Sequence, residues 1–79
     1  MKHFTYYVRI LLEDTDRFWE YVYNLNEDTD RRYHVAVRDE GRSDRHRAFS
    51  ITGTHDSYEC FLNNKTFVES VDIYESDEV

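Results

Sequence analysis

An acidic pentapeptide, EDTDR, occurs twice in this chain, at residues 13–17 and again at residues 27–31. Closely spaced carboxylates are the ligands that calcium prefers in proteins, so the repeat raises the question of paired cation sites. A calcium-binding loop also needs a glycine near its middle and a bidentate glutamate downstream, and neither copy has them at that spacing. We therefore expect no metal site and interpret the two copies as a helix start and a turn.

Histidine and cysteine are the other residue types here that could bind a metal or act as a nucleophile. His34 and His46 are predicted to share one face of a hairpin, but two imidazoles without a cysteine or carboxylate beside them make a poor zinc site. His55 and Cys60 lie five residues apart on a predicted helix and on different faces, which does not support a nucleophile pair. As the single cysteine, Cys60 cannot form an internal disulfide and favours a reducing compartment.

Motifs that identify an enzyme are missing from the sequence. It has no glycine-rich phosphate loop, no nucleophile elbow and no zinc-hydrolase helix. A chain of 79 residues also has little volume for a pocket that buries a substrate. We expect a non-enzymatic protein that uses neither a cofactor nor a metal.

The first half of the chain predicts a strand followed by a helix. Residues 3–12 alternate between apolar and polar side chains, as a half-buried strand does. Asp14 or Thr15 can then cap a helix, because a short side-chain oxygen can accept hydrogen bonds from the amides of the first turn. The apolar residues that follow recur at helical spacing and predict one buried face, made of Phe18, Tyr21, Val22 and Leu25.

The second half predicts a hairpin, a short helix and a final strand. Residues 31–38 and 45–52 alternate on either side of a polar turn at residues 39–44. Residues 54–59 offer cap candidates for the second helix, and Asp56 and Glu59 among them have the spacing of a capping box. The inward side chains predicted for these elements are Tyr33, Val35, Val37, Phe49, Ile51, Tyr58, Phe61, Leu62, Val71 and Ile73.

The resulting order of strand, helix, strand, strand, helix and strand resembles the ferredoxin-like split βαβ arrangement. The resemblance covers roughly residues 3–75 and implies an α+β fold, with a four-stranded antiparallel sheet and two helices on one face. A different pairing of the same elements stays open. We expect residues 1–79 to form a single domain, with an ordered core over about residues 3–75 and an acidic tail at residues 76–79.

Charge is unevenly distributed along the chain. The formal net charge is −7, yet residues 31–47 carry six arginines and only three acids. The rest of the chain carries four basic and fourteen acidic residues. The molecule is therefore expected to combine one basic segment with an acidic body.

The acidic surface around the first helix is the leading candidate for a binding site. Trp19 and Tyr23 are i, i+4 neighbours between acids, away from the apolar face of the helix. Such residues are frequent interface hot spots, because they desolvate a large area and keep a polar group. The alternative is that Trp19 leans onto the sheet edge and Tyr23 covers the helix end. The candidate partner-binding residues are Asp16, Trp19, Glu20, Tyr23, Glu27, Asp28 and Asp30.

These features predict a small acidic inhibitor or adaptor that binds a basic site on a protein partner, with its carboxylates steering the encounter. Such a surface can imitate nucleic acid and occupy a basic site of a nucleic-acid-handling partner. In size, acidity and compactness the chain resembles small phage-encoded inhibitors of host defence, anti-CRISPR proteins among them, although it shares no motif with them.

No apolar run approaches the ~18 residues that a membrane span needs, and residues 1–5 do not open a signal-peptide block. We expect a cytoplasmic protein that binds no membrane, located in the host cytoplasm if it is phage-encoded.

Two other functions stay open. The basic hairpin and the open sheet face could bind RNA or a nucleotide through Tyr7, Arg9, Arg32, His34, Arg38 and His46. Against this, the third strand lacks the glycine-aromatic signature of small RNA-binding sheets, the arginines can pair with the chain's own acids, and the net charge repels a polyanion. A homodimer that pairs open sheet faces or edge strands would use Tyr7, Leu11, Val68 and Tyr74.

Overall fold

The computed structural model describes residues 2–73 and places four strands and two helices there in the predicted order. The predicted acidic tail at residues 76–79 lies outside this range. The strands are β1 (Phe4–Leu11), β2 (Ala36–Arg42), β3 (His46–Gly53) and β4 (Val68–Ile73). The helices are α1 (Thr15–Glu27) and α2 (His55–Leu62), and short 3-10 turns lie at Leu12–Asp14 and Arg31–Tyr33.

The strands form one antiparallel sheet in the order β2-β3-β1-β4. β1 and β3 pair along their whole length at the centre of the sheet, from Phe4 opposite Gly53 to Leu11 opposite His46. Each helix connects two strands that are separated by a third, which is the ferredoxin-like βαββαβ arrangement. The α+β fold predicted from the sequence is confirmed.

Both helices pack on one face of the sheet, because the apolar side chains of the two central strands point to that face. Phe18 of α1 stacks on Phe49 of β3, with ring centroids 3.9 Å apart. Tyr21 and Leu25 pack against the same core, so the predicted inner face of α1 is correct. The buried apolar residues are Tyr6, Val8, Ile10, Phe18, Val22, Val35, Phe49, Ile51, Phe61 and Phe67.

β2 begins later than the alternating pattern predicted. The segment Arg31–Tyr33 forms a 3-10 turn, and the Asp30 side chain accepts a hydrogen bond from the Arg32 amide at its start. The side-chain amide of Asn26 then exchanges two hydrogen bonds with the backbone of Val35, at 2.8 and 3.1 Å. These contacts satisfy backbone groups that a strand would otherwise pair, so the chain bends before it enters the sheet.

A β-bulge changes which side chains of β4 point toward the core. The register between β1 and β4 shifts between Arg9 and Ile10, so that Val68 lies opposite Ile10 and packs against the core. The sequence pattern placed Val68 on the open face of the sheet, as a dimer contact, and this prediction is wrong. The bulge adds one residue to β4, and one extra residue reverses which face the following side chains point to. Ile73, predicted to point inward, lies opposite the buried Tyr6 but is 56% exposed at the end of an edge strand.

α1 begins at the predicted position but without the predicted side-chain cap. Asp14 occupies the N-cap position, and its side chain makes no cap hydrogen bond. The Thr15 hydroxyl instead donates to the Leu12 carbonyl at 2.6 Å, within the 3-10 turn that links β1 to α1. The first EDTDR copy is therefore a helix start, as predicted, but its threonine stabilises the preceding turn.

α2 is capped by Thr54, one of the predicted cap candidates, and not by a box of Asp56 and Glu59. The Thr54 hydroxyl oxygen accepts a hydrogen bond from the Ser57 amide. Leu62, predicted on the inner face, is 42% exposed at the last position of the helix. Within residues 2–73, neither helix has the length and apolar character needed to cross a membrane.

Candidate protein-binding site

The candidate binding surface is the solvent side of α1. Trp19 and Tyr23 lie one turn apart on this side and are 42% and 64% exposed. The carboxylate residues Asp16, Glu20 and Glu27 are exposed on the same helix. Because the apolar stripe of α1 turns toward the sheet, the helical repeat leaves these five residues outside.

Trp19 is positioned by the core although much of it is exposed. Its indole meets the ring of Phe49 edge-on, with centroids 5.4 Å apart and planes at 83°. It meets the ring of Phe18 in the same manner, at 5.3 Å and 78°. Trp19 therefore leans onto the sheet and also presents apolar area to solvent, so a partner would bind a side chain that is already ordered.

The carboxylates on α1 keep their charge available. Asp16, Glu20 and Glu27 form no ion pair with any residue in the 2–73 range. Asp14, at the start of the helix, lies 3.7 Å from Arg17. The negative field of α1 is therefore carried by exposed, unneutralised side chains, which is the arrangement that steers a basic partner toward a surface.

The two aspartates beyond α1 are occupied within the fold. The Asp28 side chain accepts from the Asp30 amide at 2.8 Å. Asp30 accepts from Arg32 Nε at 2.8 Å and pairs with Arg32 Nη2 at 2.6 Å, and the hydrogen bond from Arg32 lowers the pKa of the Asp30 carboxyl. The predicted site therefore has two parts. The carboxylates on α1 are exposed and unpaired within residues 2–73, whereas those of Asp28 and Asp30 already accept hydrogen bonds from neighbouring residues of the turn.

Several arginines of the basic segment pair with the chain's own acids. Arg47 donates to Asp39 at 2.9 Å, and the amide of Gly41 together with Arg47 lowers the pKa of the Asp39 carboxyl. Arg38 lies 3.8 Å from a carboxylate oxygen of Glu40. These pairs reduce the positive field of the hairpin, since each places an opposite charge beside an arginine.

The residues of the alternative nucleic-acid site do not converge on one face. Tyr7, Arg9 and Arg38 belong to the open face of the sheet, where Tyr7 is 37% exposed. Arg32 lies in the turn before β2 and approaches Asp56 of α2, at 3.9 Å. The predicted basic platform is therefore divided between the sheet and the helix side.

The prediction that His34 and His46 share one face of the hairpin is wrong. His34 precedes β2, and its Nε2 donates to the Asp28 carbonyl at 2.7 Å. His46 lies at the opposite end of the β2–β3 pair, where its Nε2 is 3.8 Å from Glu69. The sequence pattern extended the second strand back to residue 31 and so placed His34 on the same hairpin face as His46.

Two observations within residues 2–73 concern the residue types that could bind a metal or act as a nucleophile. No cluster of three or more histidine, cysteine, aspartate or glutamate side chains suited to a metal occurs within residues 2–73. Burial raises the pKa of the Cys60 thiol, which keeps it protonated and weakly nucleophilic. Cys60 also takes part in packing, since its carbonyl accepts from the Tyr21 hydroxyl at 3.1 Å.

One surface feature was missed by the sequence interpretation. Leu11, Leu12, Glu13, Asp44 and Arg45 line a hollow of about 590 Å³ beside the start of α1. Residues 11–13 and 44–45 are distant in sequence, and they meet only because the hairpin packs beside β1. The one available signal was the pair of adjacent leucines, which interrupts the alternation of the first strand.

No protein-family model, curated protein or solved structure matches this chain. Its function must therefore be inferred from the chemistry of its own surface. Within residues 2–73, that surface combines exposed aromatic side chains with unpaired carboxylates on α1 and a partly neutralised basic hairpin.

Proposed function

We propose that this protein is a small non-enzymatic inhibitor or adaptor whose α1 surface binds a basic site on another protein. The observation that carries the proposal is that Trp19 and Tyr23 are exposed on the same helix as three carboxylates without an ion pair in the described chain. Aromatic anchors and unpaired charge together supply both parts of a binding surface.

The two residue types contribute to binding in different ways. Exposed carboxylates raise the rate of encounter with a basic surface and favour the correct orientation. Trp19 and Tyr23 supply apolar area, and their rings can contact the methylenes and cationic groups of lysine or arginine side chains. Because the core already orders Trp19, binding costs less side-chain entropy there than at a free side chain.

A basic site that normally receives nucleic acid is the partner surface that fits best. Such sites carry lysine and arginine side chains for phosphate contacts, and carboxylates can take the place of the phosphates. The protein would then act as a nucleic-acid mimic, in the manner of the phage-encoded inhibitors of host defence that it resembles in type. We place this activity in the cytoplasm, where such a partner would be reached.

Affinity capture from host cells tests the proposal. The wild-type protein, the Trp19→Ala/Tyr23→Ala variant and a Leu62→Ala control are each used as bait, and retained proteins are identified by mass spectrometry. Leu62 is a suitable control because it is an exposed apolar residue on the other helix. A protein with a basic surface should be retained by the wild type and by the control, and lost from the double variant. Equal retention by the folded double variant would overturn the proposal.

Competition with a labelled single-stranded oligonucleotide tests the mimic. We expect the oligonucleotide and this protein to exclude each other from the captured partner, while this protein alone does not bind the oligonucleotide. Direct binding of the oligonucleotide to this protein, abolished by Arg32→Glu/Arg38→Glu, would favour the nucleic-acid-binding function instead.

A further inference from the structure

The hollow beside the start of α1 is lined by two chain segments, residues 11–13 and residues 44–45, and backbone hydrogen bonds hold both in place. Leu11 and Leu12 are half-buried and form its apolar part, while Glu13, Asp44 and Arg45 stand on its exposed rim. The Leu12 amide donates to the Arg45 carbonyl at 2.7 Å, which joins the end of β1 to the hairpin turn. A second bond, from the Ser43 amide to the His46 carbonyl at 2.8 Å, closes that turn. The hollow is therefore formed before any ligand arrives.

The rim of the hollow carries a net negative charge. Glu13 and Asp44 are both exposed, and neither forms an ion pair with residues 2–73. Arg45 is the one cation among the five lining residues, so the carboxylates outnumber it. A long cationic side chain satisfies both parts of this surface, because its methylenes can cover the leucines while its charged end meets the carboxylates.

Among cationic side chains, arginine suits the hollow best. Its planar guanidinium offers five N–H donors, enough to contact two carboxylates that approach from different chain segments. A neutral apolar side chain would cover the leucines but would also remove water from the carboxylates without replacing its hydrogen bonds. An anionic side chain would be repelled by Glu13 and Asp44.

We infer that this hollow receives an arginine side chain of the protein that binds to α1. The inference rests on the function proposed above, and it extends the proposed binding surface beyond the N-terminal end of α1. Glu13 precedes Asp16 by three residues, and Trp19 follows Asp16 by three, so the hollow lies at the N-terminal end of the α1 binding surface. A partner that covers Trp19 and Asp16 would therefore also reach the hollow.

A peptide titration followed by NMR tests the hollow without the partner. The probe is acetyl-Ala-Arg-Ala-amide, with citrulline as a neutral control of nearly the same shape and leucine as an apolar control. We expect saturable shifts of the Leu12, Glu13 and Arg45 amides with the arginine peptide, with a dissociation constant on the order of 1–10 mM. The citrulline peptide should bind about 10-fold more weakly, because it lacks the charge. Equal binding by the citrulline or the leucine peptide would overturn the inference.

Variants at the rim provide the second arm of the test. Glu13→Gln/Asp44→Asn should weaken binding of the arginine peptide about 10-fold. Asp56→Asn/Glu59→Gln on α2 removes the same net charge away from the hollow and should leave the peptide affinity unchanged. Equal effects of the two double variants would show attraction by net charge alone, which would overturn the inference.

The captured partner separates this inference from the proposed function. If Trp19→Ala/Tyr23→Ala abolishes partner binding and Glu13→Gln/Asp44→Asn leaves the affinity unchanged, the arginine site is wrong and the proposed function stands. If the rim variant weakens partner binding about 10-fold while the aromatic variant has no effect, the hollow binds the partner but the proposed α1 surface is wrong.

Discussion

The indole of Trp19 meets the ring of Phe49 edge-on, with 5.4 Å between the ring centroids, while 42% of Trp19 stays exposed. Phe49 is buried and stacks on Phe18. Trp19 therefore belongs both to the edge of the core and to the outer surface of α1. Its orientation is set by the fold, and its exposed part is free to contact a partner.

This double role predicts different stability costs for the two exposed aromatic residues. Trp19→Ala should lower the free energy of unfolding by about 1–2 kcal/mol, because it removes edge-on contacts with two core rings. Tyr23→Ala should cost less than about 0.5 kcal/mol, since Tyr23 is mostly exposed. Urea unfolding followed by circular dichroism measures both. A larger cost for Tyr23→Ala would show that the two side chains are wrongly placed.

A buried chain of hydrogen bonds predicts that substitutions at its two side chains, Tyr6 and Ser57, lower the free energy of unfolding by different amounts. The Tyr6 hydroxyl donates to Ser57 Oγ at 2.7 Å, and Ser57 Oγ donates to the Thr54 carbonyl at 2.8 Å. Ser57→Ala leaves the Tyr6 hydroxyl buried without its acceptor and should cost about 1–3 kcal/mol. Tyr6→Phe leaves Ser57 bonded to Thr54 and should cost only about 0.5–1.5 kcal/mol. Urea unfolding of both variants that gave the reverse order would contradict this assignment.

Close packing at Gly53 predicts that the stability cost of substituting this glycine depends on the side chain at Ser57. A methyl group at Gly53 would overlap Ser57 Oγ and lie 3.0 Å from a methyl carbon of Val35. Gly53→Ala should therefore destabilise the protein by about 1–3 kcal/mol. The cost should be smaller in a Ser57→Ala background, because the closest overlap is then removed. Unfolding free energies that are strictly additive would show that the hydroxyl is not the obstacle.

Two exposed carboxylates predict a loss of stability in acid. Hydrogen bonds from Gly41 and Arg47 lower the pKa of Asp39, and those from Arg32 lower the pKa of Asp30. A pKa that is lower in the folded state contributes stability above the unfolded pKa, and this is lost as the pH falls through the folded value. The urea midpoint should therefore decline below about pH 4.

The paired variant Asp30→Asn/Asp39→Asn provides the control for this pH dependence. It removes both carboxylates that have lowered pKa values and should show a lower urea midpoint at pH 7 and a shallower decline in acid. A decline as steep as that of the wild type would assign the acid sensitivity to other groups.

The order of elements could be predicted from sequence because apolar spacing is a local property. The positions of β2 and of Val68 could not, because they depend on contacts between distant residues. The side chain of Asn26 forms hydrogen bonds with the backbone of Val35, so β2 begins later in the chain. A bulge in the pairing of β4 with β1 places Val68 on the core side of the sheet. Neither effect changes the apolar pattern that a sequence interpretation uses.

The candidate site was predictable to a similar extent. Helical phase alone indicated that Trp19 and Tyr23 lie away from the buried face of α1, and their exposure agrees with this. The engagement of Asp30 by Arg32 was not predictable, because it depends on a turn that the pattern assigned to a strand. The hollow beside Leu12 requires the hairpin to pack against the end of β1, which is a tertiary contact.

The affinity of the captured partner for wild-type and Trp19→Ala/Tyr23→Ala protein tests the proposed function most directly. Calorimetry at physiological salt, with both proteins shown to be folded, supplies the two dissociation constants. We predict that the double variant binds about 100-fold more weakly, because it removes two anchor side chains, and that Leu62→Ala changes the affinity by less than about 3-fold. Equal affinities of the wild type and the double variant would contradict the assignment of α1 as the binding surface.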